Sequence, residues 1–385
     1  MMPMASSSMN QLDSNQQAFF TLLRAGLWGK RVQLFPLGKV DWRAVCHLAE
    51  EQSVTGLLAA GLEQVDSHDK ELSVPKADVR PLLVRVLAVE DTNARMNRFI
   101  AELFGQLREA GIAAVLVKGQ GIAQCYARPL WRACGDVDLL LDAEHYEKAK
   151  ALLSPLASKV EKESPSVKHL AMTLKPWEVE LHGTLRGDVS KRMDAMIDAV
   201  QDETCAGGKV RIWDNQGTPV PLPSADNDII FIFTHFLKHF FKGGIGLRQI
   251  CDWCRLLWTY HDSIDLVKLE QRLHEMRLIS EWKAFAAMAV QDLGMPAEAM
   301  PFYDPAVRWK RKARRIRKFV LRVGNFGHNR DASYFHTKPF LVRKTISLGR
   351  RLADFATHLF IFPLDALRYL PVVLFNGFRA AIKGI

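Results

Sequence analysis

The sequence shows neither the features of a secretory signal peptide nor those of a membrane-spanning helix. Its first ten residues contain no basic stretch and no long apolar run, so they do not have the features of a secretory signal peptide. The apolar stretch 359–375 is interrupted by two prolines, an aspartate and an arginine. It falls short of the roughly 20 uninterrupted residues that a membrane-spanning helix requires. We therefore expect a cytoplasmic protein.

Cysteine is also scarce, and its six positions are scattered over 385 residues without the spacing of a disulfide framework. Without a secretory signal, reduced thiols are expected. Cys251 and Cys254 form a C-x-x-C pattern that has no second cysteine pair and no histidine at zinc-finger spacing, which favours a structural role in a helix. Internal repeats are absent, and 48% apolar with 24% charged residues is typical of a globular protein of two or three domains.

The most informative stretch is 113–141. Ala113–Val117 is an apolar run that predicts a buried strand, and Gly135–Leu141 predicts a second one. Between them, Lys118-Gly119-Gln120-Gly121 predicts a tight turn in which the glycines allow the backbone to approach a ligand. Because side chains alternate along a strand, Asp136 and Asp138 should project from the same face.

Two neighbouring carboxylates in an apolar strand repel each other, which favours a cation between them. Mg²⁺ suits this position because it binds one or two carboxylates together with phosphate oxygens and water. The alternative for a bare D-x-D pattern is an edge strand with a solvated acidic face. A second alternating stretch, Trp177–His182, places Glu178, Glu180 and His182 on one face of a later strand.

These elements together resemble a known family. Lys118-Gly119, Tyr126, Arg132 and the run Gly135–Leu140 (GDVDLL) are similar to the core signature of uncharacterised bacterial nucleotidyltransferase-like proteins, which belong to the DNA polymerase β-type nucleotidyltransferase superfamily. That superfamily uses a Gly-Ser turn, an Asp-x-Asp strand and a third carboxylate on a later strand. Glu180-Leu181-His182 matches the Glu-x-His element of the family, so the resemblance implies that Glu180 is the third acidic group.

The resemblance implies transfer of a nucleotidyl group from a nucleoside triphosphate to an acceptor that the residues do not identify. Asp136, Asp138 and Glu180 would be the catalytic carboxylates and would hold Mg²⁺ or Mn²⁺, with Glu180 as an alternative general base. The turn Lys118-Gly119-Gln120, which stands where the superfamily has Gly-Ser, would lie near the triphosphate. Arg132 would neutralise phosphate charge or, without nucleotide, form a salt bridge with the aspartate pair.

The helical second half of the chain contributes weaker candidates. Leu247–Asp252 resembles a Leu-Arg-x-x-x-Asp element of the family, although an intrahelical salt bridge between Arg248 and Asp252 explains the same pattern. Lys238, His239 and Arg248 are therefore candidates for contacting phosphate or acceptor. His235 and His239 lie four apart, a spacing that permits a metal but is more typical of polar residues at the edge of a core helix.

The basic charge is concentrated in one segment. Residues 301–351 contain fifteen Lys or Arg and two Asp, a net charge of +13, whereas the whole chain carries +10. Three interpretations stay open for this segment and for the amphipathic stretch that follows it. These are packing against the rest of the protein, attachment to an anionic membrane surface at the inner face of the membrane, and contact with nucleic acid.

We expect an α+β fold in which a small mixed sheet of the polymerase β-like type lies between helical regions. The expected segments are N-terminal helices in 1–84, the nucleotidyltransferase-like domain in 85–222, a helical domain in 223–335 and basic amphipathic helices in 336–385. Two other functions remain open. One is a degenerate family member that binds a nucleotide or a partner without turnover, and the other is a membrane-surface accessory protein of a polysaccharide or modified-peptide pathway.

Overall fold

The computed structural model describes residues 12–34, 37–66, 74–163, 168–325 and 339–368, and their fold is α+β, which confirms the predicted class. Three short helices come first: α1 (Ser14–Trp28), α2 (Trp42–Glu51) and α3 (Thr55–Glu63). Helices α1 and α3 pack with almost no space between their backbones. A Cβ atom on Gly61 would lie 2.0 Å from the backbone oxygen of Leu22, so only glycine fits there.

Helix α4 (Lys76–Glu109) is 34 residues long and connects the N-terminal helices to the sheet. It therefore runs across the expected segment border between residues 84 and 85. It ends before Gly111, whose φ of +66° reverses the chain into the first strand. The C-terminal half of α4 is buried under the sheet through Met96, Ile100, Leu103, Phe104 and Leu107.

The sheet has five strands, namely β1 (Val115–Val117), β2 (Asp136–Leu140), β3 (Lys159–Val160), β4 (His169–Leu174) and β5 (Trp177–His182). Their order is β1-β2-β5-β4-β3, and only β2 and β5 run parallel, so the sheet is small and mixed as predicted. Helix α5 (Gly119–Ala123) lies between β1 and β2, and helix α6 (Ala143–Leu153) lies between β2 and β3.

The two faces of the sheet have different environments. One face is apolar, with Val137, Leu139, Val179 and Leu181 buried against α4 and α6. The other face carries the acidic side chains of β2 and β5 and is directed toward the helical second half of the protein. This difference follows from the alternation of the sequence, because every second residue of both strands is apolar.

The chain continues through α7 (Lys191–Cys205) into a separate hairpin of β6 (Val210–Asn215) and β7 (Thr218–Pro223). Five helices follow: α8 (Ala225–Lys242), α9 (Leu247–Tyr260), α10 (Leu266–Met276), α11 (Ile279–Gln291) and α12 (Val307–Val323). Their core is aromatic, with the rings of Phe233, Trp253 and Trp282 in mutual contact. Cys251 and Cys254 are buried free thiols in α9, and burial raises the pKa of both.

The basic segment forms α12 and part of α13 (Phe340–Ile361), and both helices pack on the protein. Arg317 forms a buried ion pair with Asp292, and the ring of Phe319 lies 4.8 Å from that of His358. Within the described ranges, no helix is long and apolar enough to cross a membrane. The predicted amphipathic stretch beyond residue 368 lies outside the described residues.

Candidate active site

Lys118 marks the point where β1 ends and the site begins. Its backbone has φ +58° and ψ −144°, a conformation that costs a residue with a side chain about 1–3 kcal/mol and is usually left to glycine. The strained backbone places the ammonium group of Lys118 on the polar face of the sheet, 2.6 Å from Oδ1 of Asp138. Strain of this kind persists only where the surrounding structure holds it, and it is concentrated at functional sites.

Asp138 is the most buried of the three predicted catalytic carboxylates, with 2% of its surface exposed. Its Oδ1 accepts hydrogen bonds from Lys118 and from Nε2 of His182, which lies 2.7 Å away. Burial disfavours the charged form, but these two partners more than offset that effect, so the pKa of Asp138 lies below its ordinary value. Asp138 is therefore a carboxylate whose charge is already neutralised from within the protein.

Asp136 lies two residues before Asp138 on the same face, as predicted, but its environment differs. Within the described ranges, no side chain donates a hydrogen bond to its carboxylate or pairs with it. Burial, and after it the charge of Asp138, raises the pKa of Asp136 above its ordinary value. A partly buried carboxylate without an internal partner is suited to bind a cation from solution.

Glu180 reaches the same face from β5, where the strand register sets it beside Asp138. Its Oε2 lies 3.1 Å from Nε2 of His169 and 3.3 Å from Nε2 of His182. Hydrogen bonds from His169 and then His182 lower the pKa of Glu180 well below its ordinary value, although burial opposes this. Burial lowers the pKa of His182, but its bonds to Asp138 and Glu180 outweigh burial and raise it.

The aspartate pair opens into a cavity of about 110 Å³ between the sheet and helices α8 and α9. This volume holds several water molecules. Burial, and after it the charge of Lys118, lowers the pKa of His235 far below its ordinary value, so this cavity-lining imidazole is neutral. The side chains and backbone that line the cavity come from Lys118, Gly119, Arg132, Asp136, Asp138, Ile232, His235, Phe236, Arg248, Gln249 and Asp252.

Arg132 lies at the edge of this cavity, but it is paired with Asp252 rather than with the aspartate pair. Its Nε and Nη2 donate to the two carboxylate oxygens of Asp252 at 3.1 and 2.6 Å, and the hydroxyl of Tyr126 donates to Oδ1 at 2.7 Å. Burial lowers the pKa of Arg132, but Asp252 more than offsets this and raises it. The predicted salt bridge of Arg132 to Asp136 and Asp138 is therefore wrong, because the Arg132 guanidinium is paired with Asp252 from α9.

Arg248 is the cavity residue with the clearest unsatisfied donor. Its Nη1 donates to the backbone oxygen of Ala133 at 2.8 Å, while its buried Nε has no hydrogen-bond partner among the residues that the structure describes. Burial, and after it the charge of Arg132, lowers the pKa of Arg248. The alternative of an intrahelical salt bridge between Arg248 and Asp252 is wrong, because in the part of the chain that the structure describes the ion pair of Asp252 is with Arg132.

Four predicted residues are not among those that line the cavity: Glu180, Gln120, Lys238 and His239. Gln120 is buried on the other side of the turn, where its Nε2 donates to Oδ1 of Asn93 at 2.8 Å. Lys238 and His239 follow on α8; burial lowers the pKa of Lys238 to about 8 and that of His239 to about 3. The His239 ring lies 4.7 Å from that of His235.

His169 is a site residue that no sequence motif identifies. It belongs to no motif of its own, yet it lies directly opposite His182 in the antiparallel pair of β4 and β5. The signal was present, because the two-residue turn Lys175-Pro176 fixes which residues of the hairpin face each other.

A mixed sheet whose parallel strands β2 and β5 present Asp-x-Asp and Glu-x-His on one face, beside a cleft lined by charged side chains of both signs, is the arrangement of a nucleotidyltransferase-type domain. The comparisons agree with this class, since the model of a family described as uncharacterised nucleotidyltransferases matches residues 38–292, well over half of the chain. The chain therefore belongs to that family, which confirms the resemblance. Comparison with curated proteins and with solved structures gives no match.

Proposed function

We propose that this protein transfers a nucleotidyl group from a nucleoside triphosphate to an acceptor. The observation that carries the proposal is the cleft in which, among the described residues, neither the Asp136 carboxylate nor the buried Nε of Arg248 has a hydrogen-bond partner. A carboxylate and a guanidinium N–H that are both available in one cleft are suited to bind a cation and a phosphate together. Family membership supports a transferase of this class.

The donor set also fits the metal ion that such chemistry needs. Asp136, Asp138 and Glu180 offer hard oxygen ligands from neighbouring strands, which suit Mg²⁺ and also Mn²⁺. We propose that these three carboxylates hold one or two such ions. When bound, the ions would neutralise charge on the phosphates and on the attacking and leaving oxygens. The low pKa of Glu180 makes it a weak proton acceptor, so a role as ligand is favoured over a role as base.

The basic residues take different roles in this proposal. Lys118 and the backbone at Gly119 lie on the cavity side of the turn and would contact the triphosphate, together with Arg248. Gln120 would act indirectly, since its bond to Asn93 fixes the turn. For these groups the chemistry is charge neutralisation and orientation of the phosphates.

Arg132, Lys238 and His239 have a less direct place. Arg132 would hold Asp252 and the neighbouring cleft wall in position, and it would add its positive charge to the cavity. The Lys238 side chain packs near Gly187, and the charges of Lys118 and Glu180 both act on its ammonium group. We propose that Lys238 and His239 contact phosphate or acceptor.

The test is binding of a panel of nucleoside triphosphates by calorimetry, with and without Mg²⁺. We expect metal-dependent binding by the wild-type protein, loss of that binding in Asp136→Asn, and an affinity at least about tenfold lower in Arg248→Met, since one charge-assisted hydrogen bond contributes about 1.5–3 kcal/mol. Glu144→Gln is the matched control, because Glu144 is an exposed carboxylate on α6 outside the cavity. Absence of binding by the wild-type protein to every triphosphate would refute the proposal.

One observation favours a second candidate, a family member that binds a nucleotide without turnover. The ammonium group of Lys118 and Nε2 of His182 both bond to Oδ1 of Asp138. If these contacts persist, the charge of Asp138 is already neutralised within the protein, so Asp138 would bind an ion less strongly than Asp136 and Glu180. Metal-dependent binding without pyrophosphate release in the presence of any acceptor would support this candidate, whereas pyrophosphate release would exclude it.

A further candidate role concerns α13, which exposes Leu348, Leu352 and Phe360 on one side. These apolar side chains lie beside Arg350 and Arg351, a combination suited to an anionic lipid surface. We propose that this helix attaches the protein to such a membrane, in preference to nucleic acid. The double variant Leu352→Ser/Phe360→Ser should no longer sediment with phosphatidylserine vesicles. The control Val267→Ser on α10 should sediment like the wild type, although the Val267 side chain is at least as exposed as those of Leu352 and Phe360.

A further inference from the structure

A second cluster of ligand-type side chains lies next to the aspartate pair. It consists of His169, Glu180 and His182, whose candidate ligand atoms all lie within 4.8 Å of one another. We propose that these three residues bind a divalent transition-metal ion of the Zn²⁺ class. The inference goes beyond the proposed nucleotidyl transfer, although the two sites share Glu180.

The strand pairing positions these ligands without any loop. His169 and His182 are directly opposite each other in the antiparallel pair of β4 and β5, and Glu180 precedes His182 by two residues, so all three side chains leave the same face. The rings of the two histidines are 4.9 Å apart. Sites built on neighbouring strands hold their ligands more precisely than sites on loops.

The chemistry of the donors selects the class of ion. Two imidazoles and one carboxylate suit zinc and other late first-row metals, whereas Mg²⁺ prefers oxygen ligands alone. This distinguishes the cluster from the carboxylates of the proposed magnesium site. Two histidines and a carboxylate on one face also leave positions open for water or substrate.

The cluster is accessible from solvent but not loosely exposed. The His169 side chain is 36% exposed, while those of Glu180 and His182 are 22% and 12% exposed. His169 therefore provides the entry side, and the two partners on β5 form the inner wall. Because the exposed fraction decreases from His169 to His182, an ion can reach the three side chains from the His169 side without rearrangement of the sheet.

Asp138 connects the two sites. Its Oδ1 lies 2.7 Å from Nε2 of His182, the same nitrogen that faces Glu180. An ion bound at that nitrogen would replace this hydrogen bond and leave Asp138 with Lys118 as its internal partner. Occupancy of the histidine site would thus change the partners of a carboxylate in the proposed magnesium site.

The test uses the full-length protein and Co²⁺ as a spectroscopic probe, followed by Zn²⁺ in competition with a chromogenic chelator. We expect one equivalent of Co²⁺ to give visible absorption bands that Zn²⁺ abolishes. His169→Gln should lower the Zn²⁺ affinity by more than about 100-fold, since loss of a direct ligand exceeds the 10–100-fold effect of outer groups. Because His169 is the most exposed member, this substitution leaves the buried part of the sheet intact.

Two controls make the result specific. His261→Gln removes an imidazole of similar exposure on the loop after α9 and should leave Zn²⁺ binding unchanged. Asp136→Asn, which lies outside the His169, Glu180 and His182 cluster, should abolish metal-dependent nucleotide binding but retain Zn²⁺ binding. Failure of one proposal is thereby separated from failure of the other. Zn²⁺ binding that is equal in wild type and His169→Gln, or absent from the wild type, would overturn the inference.

Discussion

The buried contact between Arg132 and Asp252 allows a quantitative test of what holds the cleft together. Each of the two side chains is only 7% exposed, and two parallel hydrogen bonds join them. Asp252→Ala would leave the guanidinium buried without a counter-charge. Removing one partner of a buried ion pair costs about 3–5 kcal/mol of the free energy of unfolding.

The double variant Arg132→Met/Asp252→Leu should be much less affected. It removes both charges and fills the space with apolar groups, a replacement that is often neutral. We therefore expect the single variants Arg132→Met and Asp252→Leu to lose about 3–5 kcal/mol each of the free energy of unfolding. The double variant should lose clearly less than their sum, with a coupling energy of about 2 kcal/mol or more. Tyr126→Phe, which removes only one donor to Asp252, should cost about 1–2 kcal/mol.

The assay is guanidinium denaturation followed by tryptophan fluorescence, with midpoints converted to free energies of unfolding. Asp91→Ala serves as the control, since the Asp91–Arg95 pair is more than half exposed on α4 and should contribute less than about 1 kcal/mol. Single variants at Arg132 and Asp252 that unfold like the wild type, or strictly additive losses in the double variant, would show that the pair does not stabilise the cleft.

Three further predictions concern separate parts of the molecule. Lys118→Gly should be about 1 kcal/mol more stable to denaturation than Lys118→Ala, because both lose the ion pair with Asp138 but only glycine relieves the positive φ; equal stability would contradict the strain. Burial raises the pKa of the Glu203 carboxyl, but neighbouring Lys and Arg side chains outweigh burial and lower this pKa to about 2. Since the folded pKa is depressed, its stabilisation is fully present above the ordinary value of 4.5 and is lost as the pH falls toward 2. Glu203→Gln should therefore cost about 1–2 kcal/mol at pH 7, allowing for partial exposure, and much less at pH 2, as measured by urea denaturation at both pH values. Gly61→Ala should lower the free energy of unfolding by about 3 kcal/mol or more, because its Cβ would meet the backbone oxygen of Leu22 at 2.0 Å; a wild-type melting temperature would show that the helices can separate without cost.

Controls for these variants are available in the same chain. Gly105→Ala on α4 adds a Cβ that meets no atom within 4 Å, so it should not destabilise the protein. Glu144→Gln removes a carboxylate whose side chain is 72% exposed, so its effect on stability should be small at either pH.

The local features of the site could be predicted from the sequence because they depend on short-range periodicity. Alternation along one strand places Asp136 and Asp138 on one face whatever the rest of the fold does, and the structure agrees. The same argument holds for Glu180 and His182. The family signature then joined the two strands in one site, which the parallel pairing of β2 and β5 supports.

The partners of each charged group could not be predicted in this way. Asp252 lies 120 residues after Arg132, and the choice between a salt bridge to the aspartate pair and one to α9 depends on how helices pack against the sheet. Gln120 was placed at the triphosphate by its position in the turn, but a buried amide bonds to the nearest partner, here Asn93 on α4. The partner of a buried charged or amide group is therefore decided by the packing of the fold and not by spacing along the chain.

The sequence by itself determined the α+β class, the acidic face of the sheet and the family, since periodicity and short motifs are properties of neighbouring residues. Only the tertiary structure decided that Lys118 neutralises Asp138, that Asp136 and the Nε of Arg248 have no hydrogen-bond partner in the described part of the chain, and that His169 completes a cluster with Glu180 and His182. The physical reason is that the charge state and availability of a buried group depend on the atoms within a few ångströms of it, and folding brings those atoms from distant parts of the chain.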